Sequence, residues 1–564
     1  MQRFLNLKLN TISSWRLLPL AVLIIFTAPL VIVLSSLFGN YSDNWSHLYE
    51  FVLLDYVNSS LILVIGVAFL VFIIGTVTAW TVTNYNFIGK NIFEWALILP
   101  LSIPPYILAY TFTGLFDPYG DANNLIRYLF GLRDDFVFFP NVRSMYGAII
   151  VFAFTLYPYV YLVSRSALIN QSKSMKEASR LLGLNQVQVF YKLALPMIRP
   201  AVIAGVMLVI METLSDFGAV DHFAIETFTT GIFRTWYGLY DLQTAMQLAS
   251  LLLIIIGVFY LIEKNTRGGS IYTSNNSNFS PNLEDNLQGF KGLIAFLICF
   301  IPIFIGFIIP IVELSLWAYE VNLGFFNDRF ISNSINTLSL SLGTGIICAG
   351  LALLINFSVR FKPNKLVEKL SSLLSLGYAV PGLILAVGMV QLMVYLDTFL
   401  FSGLDIVLTG SIFGLMIAYV IKTYALANSS IESGYQRISN SMDESSRLLG
   451  ISGWRMLINI HSPLMKTALL TSVLLVMSDV VKELPATLIL RPFNFETLAV
   501  STYTYASEER MLQAAAPAIA IVIIGLIPII FLSKMIRSSR PCLLYTSDAA
   551  DEGLGVDLGG RRII

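Results

Sequence analysis

Charge is scarce in this chain. Only 12% of its 564 residues are Asp, Glu, Lys or Arg, and 35 basic side chains cancel 35 acidic ones. A soluble domain carries about 25% charged residues, so that class is excluded. A neutral chain also has no bulk attraction for nucleic acid. Cysteine is nearly absent: Cys299, Cys348 and Cys542 form no Cys-x-x-Cys pair. That excludes a disulfide framework, and Cys299 and Cys348, set in apolar runs, read as small core residues. The three histidines, His47, His222 and His461, share no ligand spacing, so no built-in His/Cys metal centre is expected. The phosphate-binding pattern Gly-x-x-x-x-Gly-Lys-Ser/Thr is missing as well. Gly89-Lys90-Asn91 lacks both the upstream glycine and the hydroxyl residue. No nucleophile–base pair or paired acid/base set stands in the loops, which argues against a membrane enzyme.

What the chain does have is long apolar runs. A spanning helix needs about 20 apolar residues, and the sequence predicts such spans near 17–38, 57–82, 93–115, 145–168, 198–220 and 245–262. A second set falls near 291–318, 334–357, 371–396, 408–427, 466–489 and 513–533. The fold class expected is an all-α polytopic membrane protein, with about twelve transmembrane helices as two parallel six-helix repeats. The first run is too long for a signal-peptide core and reads as a retained span. Residues 1–264 and 291–540 form the two halves, and 265–290, rich in Asn, Ser and Gly, reads as their linker. Residues 541–564 change composition and resemble translated sequencing adaptor; they read as a non-native tail. Asn58-Ser59 and Asn336-Thr337 open the second span of each half and read as helix caps.

Basic residues set the orientation. Arg3, Lys8 and Arg16 precede the first span, whereas Asp43, Glu50 and Asp55 follow it. Alternate loops then hold Lys90; Lys173, Lys176, Arg180 and Lys192; Lys264 and Arg267; Arg360, Lys362, Lys365 and Lys369; Arg437, Arg447 and Arg455; and Lys534 and Arg537. The positive-inside rule places those loops and both termini in the cytoplasm. An even number of spans per half gives the halves one orientation.

One polar segment occurs twice. Glu177-Ala178-Ser179-Arg180-Leu181-Leu182-Gly183 precedes Pro196, and Glu444-Ser445-Ser446-Arg447-Leu448-Leu449-Gly450 precedes Pro463, each residue 267 positions after its counterpart. Ser174-x-x-Glu177 and Ser441-x-x-Glu444 match a capping box. Gly183 and Gly450 sit where a left-handed residue ends a helix. Ala178, Leu181 and Leu182, like Ser445, Leu448 and Leu449, fall on one helical face. A repeated, capped amphipathic helix on the cytoplasmic side offers its apolar face to a groove on a soluble partner, twice. The plainer reading is an ordinary loop helix between spans.

This segment resembles the Glu-Ala-Ala loop of ATP-binding-cassette importer permeases. There, three residues and a Gly follow the motif, and nine residues later comes Ile-x-Leu-Pro. Here nine residues separate Gly183 from Leu193-Ala194-Leu195-Pro196 and Gly450 from Ile460-His461-Ser462-Pro463. Ser462 replaces the usual Leu, and small residues replace small ones at Ser179, Ser445 and Ser446. The resemblance implies that Glu177, Ala178, Ser179, Gly183, Pro196, Glu444, Ser445, Ser446, Gly450 and Pro463 couple the chain to a separate ATPase subunit, present in two copies. It implies no cofactor in this chain, since the partner binds ATP. It also implies a periplasmic or lipid-anchored solute-binding protein, a lipid environment, and a bacterial inner-membrane location.

At the same offset, Asp479 aligns with Glu212 and Glu483 with Asp216. Carboxylates at membrane depth are costly. They read either as a cation path, facing a pseudo-symmetric axis, or as helix-end acids paired with Arg491, Lys482 or backbone amides. The surrounding stretches, Glu212 to Val220 with Thr227 to Ile232, and Lys482 to Thr487 with Arg491 to Phe495, resemble the two halves of fused ferric-iron permeases. Thiamine permeases are the nearest alternative, and polyamine or sulfate permeases lie further off. A secondary transporter with two six-helix halves is the other class; it has no need of the duplicated cytoplasmic segment.

Overall fold

The computed structural model describes residues 14–133, 135–139, 141–169, 183–267, 285–321, 327–361, 365–400, 403 and 407–538. The first copy's Glu177, Ala178 and Ser179, with its Ser174 cap, most of the linker and the 541–564 tail lie outside the described residues.

Apolar sequence in lipid must satisfy its own backbone, and the chain does so as helix. The principal helices of the first half are α1 (Ser14–Ser35), α2 (Leu53–Asn84), α3 (Pro105–Phe116), α4 (Met145–Ile169), α5 (Leu195–Ser215) and α6 (Leu242–Arg267). Those of the second are α7 (Gly289–Ile303), α8 (Asp328–Phe361), α9 (Gly382–Tyr395), α10 (Ile412–Tyr435), α11 (Asn440–Leu448), α12 (Lys466–Val481) and α13 (Met511–Ser538). Among the described residues, ten helices are long and apolar enough to cross a membrane, or twelve if each of two sharply bent helix pairs counts as one span. The bent pairs are Lys90–Ser102 with Pro105–Phe130, turned by 89°, and Trp454–Leu464 with Lys466–Val481, turned by 77°.

Four expected spans are thus interrupted. The span at 93–115 breaks at Ile103 and Pro104, both extended. The one at 371–396 breaks in the same way at Val380 and Pro381. A proline forces the residue before it out of the helical region and removes a donor, so each break is local chemistry. The spans at 198–220 and 466–489 end early, at Ser215 and Val481, and short helices Gly218–His222 and Pro485–Leu490 follow. The cap reading of Asn58-Ser59 and Asn336-Thr337 is also corrected. Both pairs lie inside α2 and α8, which start well before them. Asn336 instead donates to the Glu496 carbonyl at 3.0 Å, and Thr337 Oγ1 accepts from the Leu498 amide at 2.9 Å.

Two cores form, and each mixes the halves. One joins α2, α3, α4 and α5 with residues of α7, α13 and the segment Ile309–Glu320. The other joins α8, α9, α10 and α12 with residues of α1 and α6. The outer helices of each half therefore pack on the middle helices of the other. In lipid, such contacts rest on close packing rather than on water exclusion, so small residues matter. A Cβ added at Gly388 of α9 would lie 2.6 Å from the Pro29 carbonyl of α1, and one at Gly75 of α2 would lie 2.7 Å from Val160 Cβ of α4. A two-residue parallel strand pair, Tyr85–Asn86 with Asp285–Asn286, ties the end of α2 to the start of the second half.

Candidate functional site

The second copy of the repeated segment is fully described. Its helix, α11, begins one residue after Ser439, not at Ser441, and Ser439 makes no side-chain cap bond. The expected Ser441–Glu444 capping box is therefore not formed; Ser439 Oγ and Ser441 Oγ bond each other at 2.8 Å. The helix end matches expectation. Gly450 takes a φ of +76°, its amide donates to the Arg447 carbonyl, and the Ile451 amide donates to the Ser446 carbonyl. These two bonds close a Schellman motif. Gly183 adopts a φ of +67° at the matching position.

Glu444 and Ser445 face solvent, and Leu448 and Leu449 are 89% and 78% exposed. Asp443 and Ser446 are buried on the opposite side. Asp443 accepts Arg360 Nε on Oδ2 at 2.6 Å, and its Oδ1 lies 3.1 Å from His461 Nε2. The Arg360 terminal nitrogens also donate to the carbonyls of Tyr435, Ile438 and Ser439. His461 is 0% exposed and its Nδ1 lies 3.4 Å from the Tyr435 hydroxyl. Thus α8, α10, α11 and the helix leading to Pro463 meet in one polar cluster.

Both copies then pass through a π turn, Phe190–Ala194 and Leu457–His461, each just before the proline region. A wider turn spares the carbonyl that would clash with the proline ring of Pro196 or Pro463. Beyond it the copies differ. Gln186–Ser215 is one helical run of 30 residues, whereas the second copy turns by 77° at Met465.

The four aligned carboxylates converge. Glu212, Asp216, Asp479 and Glu483 line one cavity of about 80 Å³, together with Lys422, Lys482, Tyr106, Tyr159, Thr155 and Ser215. That volume accommodates a few water-sized groups. The chain breaks just described place these residues: Pro104 and Pro105 line the cavity, as does Pro485. Asp216 Oδ1 accepts the Ala219 amide at 2.8 Å, and Glu483 Oε1 accepts the Ala486 amide at 3.3 Å, so each acid caps the short helix after it. Lys482 meets Asp479 at 3.2 Å, Lys422 meets Glu483, and Tyr378 donates to Glu212 at 3.1 Å. Arg491, expected to pair here, instead faces Glu496 at 3.6 Å. Among the described residues, no three His, Cys, Asp or Glu side chains stand close enough together to hold a metal ion.

A family model for the binding-protein-dependent transport system inner membrane component matches residues 71–263 and again 341–539. The chain belongs to this family. One match falls in each half of the chain. The permease is 25% identical, over 85% of its length and 90% of the relative's, to the Fe(3+)-transport system permease protein FbpB 2 of Haemophilus influenzae. It is also 25% identical to the ferric transport system permease protein FbpB of Actinobacillus pleuropneumoniae, over 68% of its own length and 56% of that protein. A shorter match, 29% over 26% of the chain and 50% of the relative, is to the sulfate transport system permease protein CysT of Salmonella typhimurium.

Several residues of the permease's cavity escaped sequence reading. Lys422 sits in the middle of an apolar span, and only its position 267 residues after Thr155, itself a cavity residue, signals it. Tyr106 of the cavity, and Tyr378, which bonds the cavity's Glu212, belong to the broken spans, whose course the hydropathy pattern hides. The Arg360–Asp443–His461 cluster had no signal in the repeat, because the first copy carries Lys176 and Ala194 at the last two positions.

Proposed function

We propose that this permease forms the membrane pathway of an ATP-driven, binding-protein-dependent importer for ferric iron. The carrying observation is the likeness to FbpB 2 along nearly the whole of both chains. Two copies of a separate ATPase dock on the two repeated loops through Glu177, Ala178, Ser179 and Gly183, and through Glu444, Ser445, Ser446 and Gly450, with Pro196 and Pro463 ending the segments. ATP binds to those partners and not to this chain. The exposed Glu444, Leu448 and Leu449 support a docking role, since an amphipathic helix seats its apolar face in a partner groove. Both termini and both loops lie in the cytoplasm of a bacterial cell, and a solute-binding protein delivers cargo from the other side.

Four carboxylates against two ammonium groups make the cavity acidic, which suits a cation and not a sulfate ion. Glu212, Asp216, Asp479 and Glu483 line the route of the ion. Uptake of labelled ferric iron, compared with thiamine, in cells expressing the permease with its ATPase and binding protein tests this reading. Iron uptake abolished by Glu177→Ala with Glu444→Ala supports it. Thiamine uptake moves the substrate, and uptake without the ATPase removes the mechanism. Asp216→Asn with Glu483→Gln should lower uptake while ATP hydrolysis stays responsive to the binding protein.

A further inference from the structure

The cavity is built from matched positions that differ in charge. Thr155, Glu212, Ser215 and Asp216 on the first half correspond, 267 residues on, to Lys422, Asp479, Lys482 and Glu483, and all eight line the cavity. Each lysine stands where the first half has a hydroxyl. The second wall thus neutralises itself, Lys422 on Glu483 and Lys482 on Asp479. The first wall carries two carboxylates and no cation. Among the described residues, the Asp216 carboxylate accepts only amides, both through Oδ1, and the Glu212 carboxylate accepts only the Tyr378 hydroxyl.

An independent feature lies in the wall of this space. Tyr106 lines the cavity, is 3% exposed, and among the described residues its hydroxyl has no hydrogen-bond partner. Asp216 and Glu483 line the same cavity. A buried polar group without a partner is costly and calls for a ligand or water. Carboxylate, phenol and hydroxyl oxygens together form a hard donor set, suited to a hard, highly charged cation.

We infer that Glu212, Asp216 and Tyr106 form a transient seat for a hard trivalent cation, and that Lys422 and Lys482 are tethered counter-cations that keep this seat weak. The inference rests on the importer reading and adds the residues that set how long the ion stays. Both lysines share the cavity with Glu212. When the seat is empty their charge partly satisfies it. When an ion arrives, their repulsion across a low-dielectric cavity favours its departure. Conduction needs such weak binding, because a site that holds its ion tightly stops transport.

The test uses the full-length permease in lipid nanodiscs, without ATPase, and Tb³⁺ as the trivalent probe. Luminescence sensitised by the cavity tyrosines reports binding. Lys482→Ser and Lys422→Thr, which copy the first-half residues, should each tighten Tb³⁺ binding by about tenfold or more. Glu212→Gln with Asp216→Asn should weaken it by at least as much, and Tyr106→Phe should dim the signal. Because Lys422→Thr leaves Glu483 buried and unpaired, Lys422→Gln with Glu483→Gln serves as the charge-neutral control rather than as a lysine variant: it removes one charge of each sign and should bind Tb³⁺ about as tightly as wild type. Equal affinity in wild-type and lysine variants, no binding in any form, or binding that survives loss of Glu212 and Asp216 overturns the inference. The readout is independent of uptake, so a permease that imports another solute can still show lysine-limited binding, and an iron importer can fail to show it.

Discussion

The two copies of the repeated segment agree in sequence pattern and differ in how they are joined to the spans. The second is anchored: Asp443 of α11 is gripped by Arg360 at the end of α8 and by His461 on the helix before Pro463. The first has Lys176 at the position of Asp443 and Ala194 at that of His461. Val82 stands opposite Arg360 when the second spans are aligned on Asn58 and Asn336. The first copy continues through its proline into α5 as one helical run, whereas the second turns sharply at Met465 before α12. A continuous helix transmits displacement along its own axis. A bent one needs another strut, and the Arg360 cluster supplies it by linking α11 to α8 and α10. Equal sequence motifs therefore do not imply equal linkage to the spans.

The largest effect expected from breaking this comparison is at the cluster. Asp443→Ala leaves a nearly buried guanidinium and a buried imidazole without their shared acceptor, at a cost of about 3 kcal/mol. Protease nicking between residues 436 and 465 should accelerate in the detergent-solubilised permease, and ATPase stimulation by the binding protein should fall. Lys176→Ala should change both by far less. Equal effects at the two positions would mean that the cluster does not distinguish the halves.

A smaller and symmetric effect is expected at the glycines. Gly183 and Gly450 both hold positive φ, and a Cβ at either would meet nothing within 4 Å. Alanine there costs backbone strain alone, about 1 kcal/mol at each site. Similar losses of thermal stability for Gly183→Ala and Gly450→Ala would show that the copies share their helix ends while differing in their anchors. A loss at only one of them would show that the likeness does not extend to the turn.

Why the halves are alike was legible, and why they differ mostly was not. Hydropathy runs, basic loops and the 267-residue offset are local or periodic properties, and they located the two halves, the polar segment and the aligned pairs Glu212/Asp479 and Asp216/Glu483. The breaks at Pro104 and Pro381 were misread as continuous spans because hydropathy averages over a proline that ends a helix. The mixed cores depend on contacts between helices far apart in sequence, such as α1 with α9, which no local pattern encodes. Lys422 escaped for a related reason: one lysine in an apolar run has little weight until its partner, Glu483, is placed beside it. The first-half positions Thr155 and Ser215, being ordinary span residues, gave no warning that their counterparts are charged.

The smallest change in stability and the sharpest functional contrast should come from the exposed face. Leu448 and Leu449 touch little of the permease itself, so Leu448→Ser with Leu449→Ser should leave folding within about 0.5 kcal/mol of wild type. The same pair should lose binding-protein-stimulated ATP hydrolysis in the assembled transporter, because the apolar face is the part that a groove accepts. The equivalent change at Leu181 and Leu182 supplies the comparison. If the anchored copy carries more of the stroke, the 448/449 variant loses more transport than the 181/182 variant at equal ATPase occupancy, measured by co-purification of the ATPase. Equal losses at equal occupancy would assign the Arg360 cluster to holding α11 in place rather than to transmitting force. That outcome would leave the docking face standing and restore mechanical equality to the two halves.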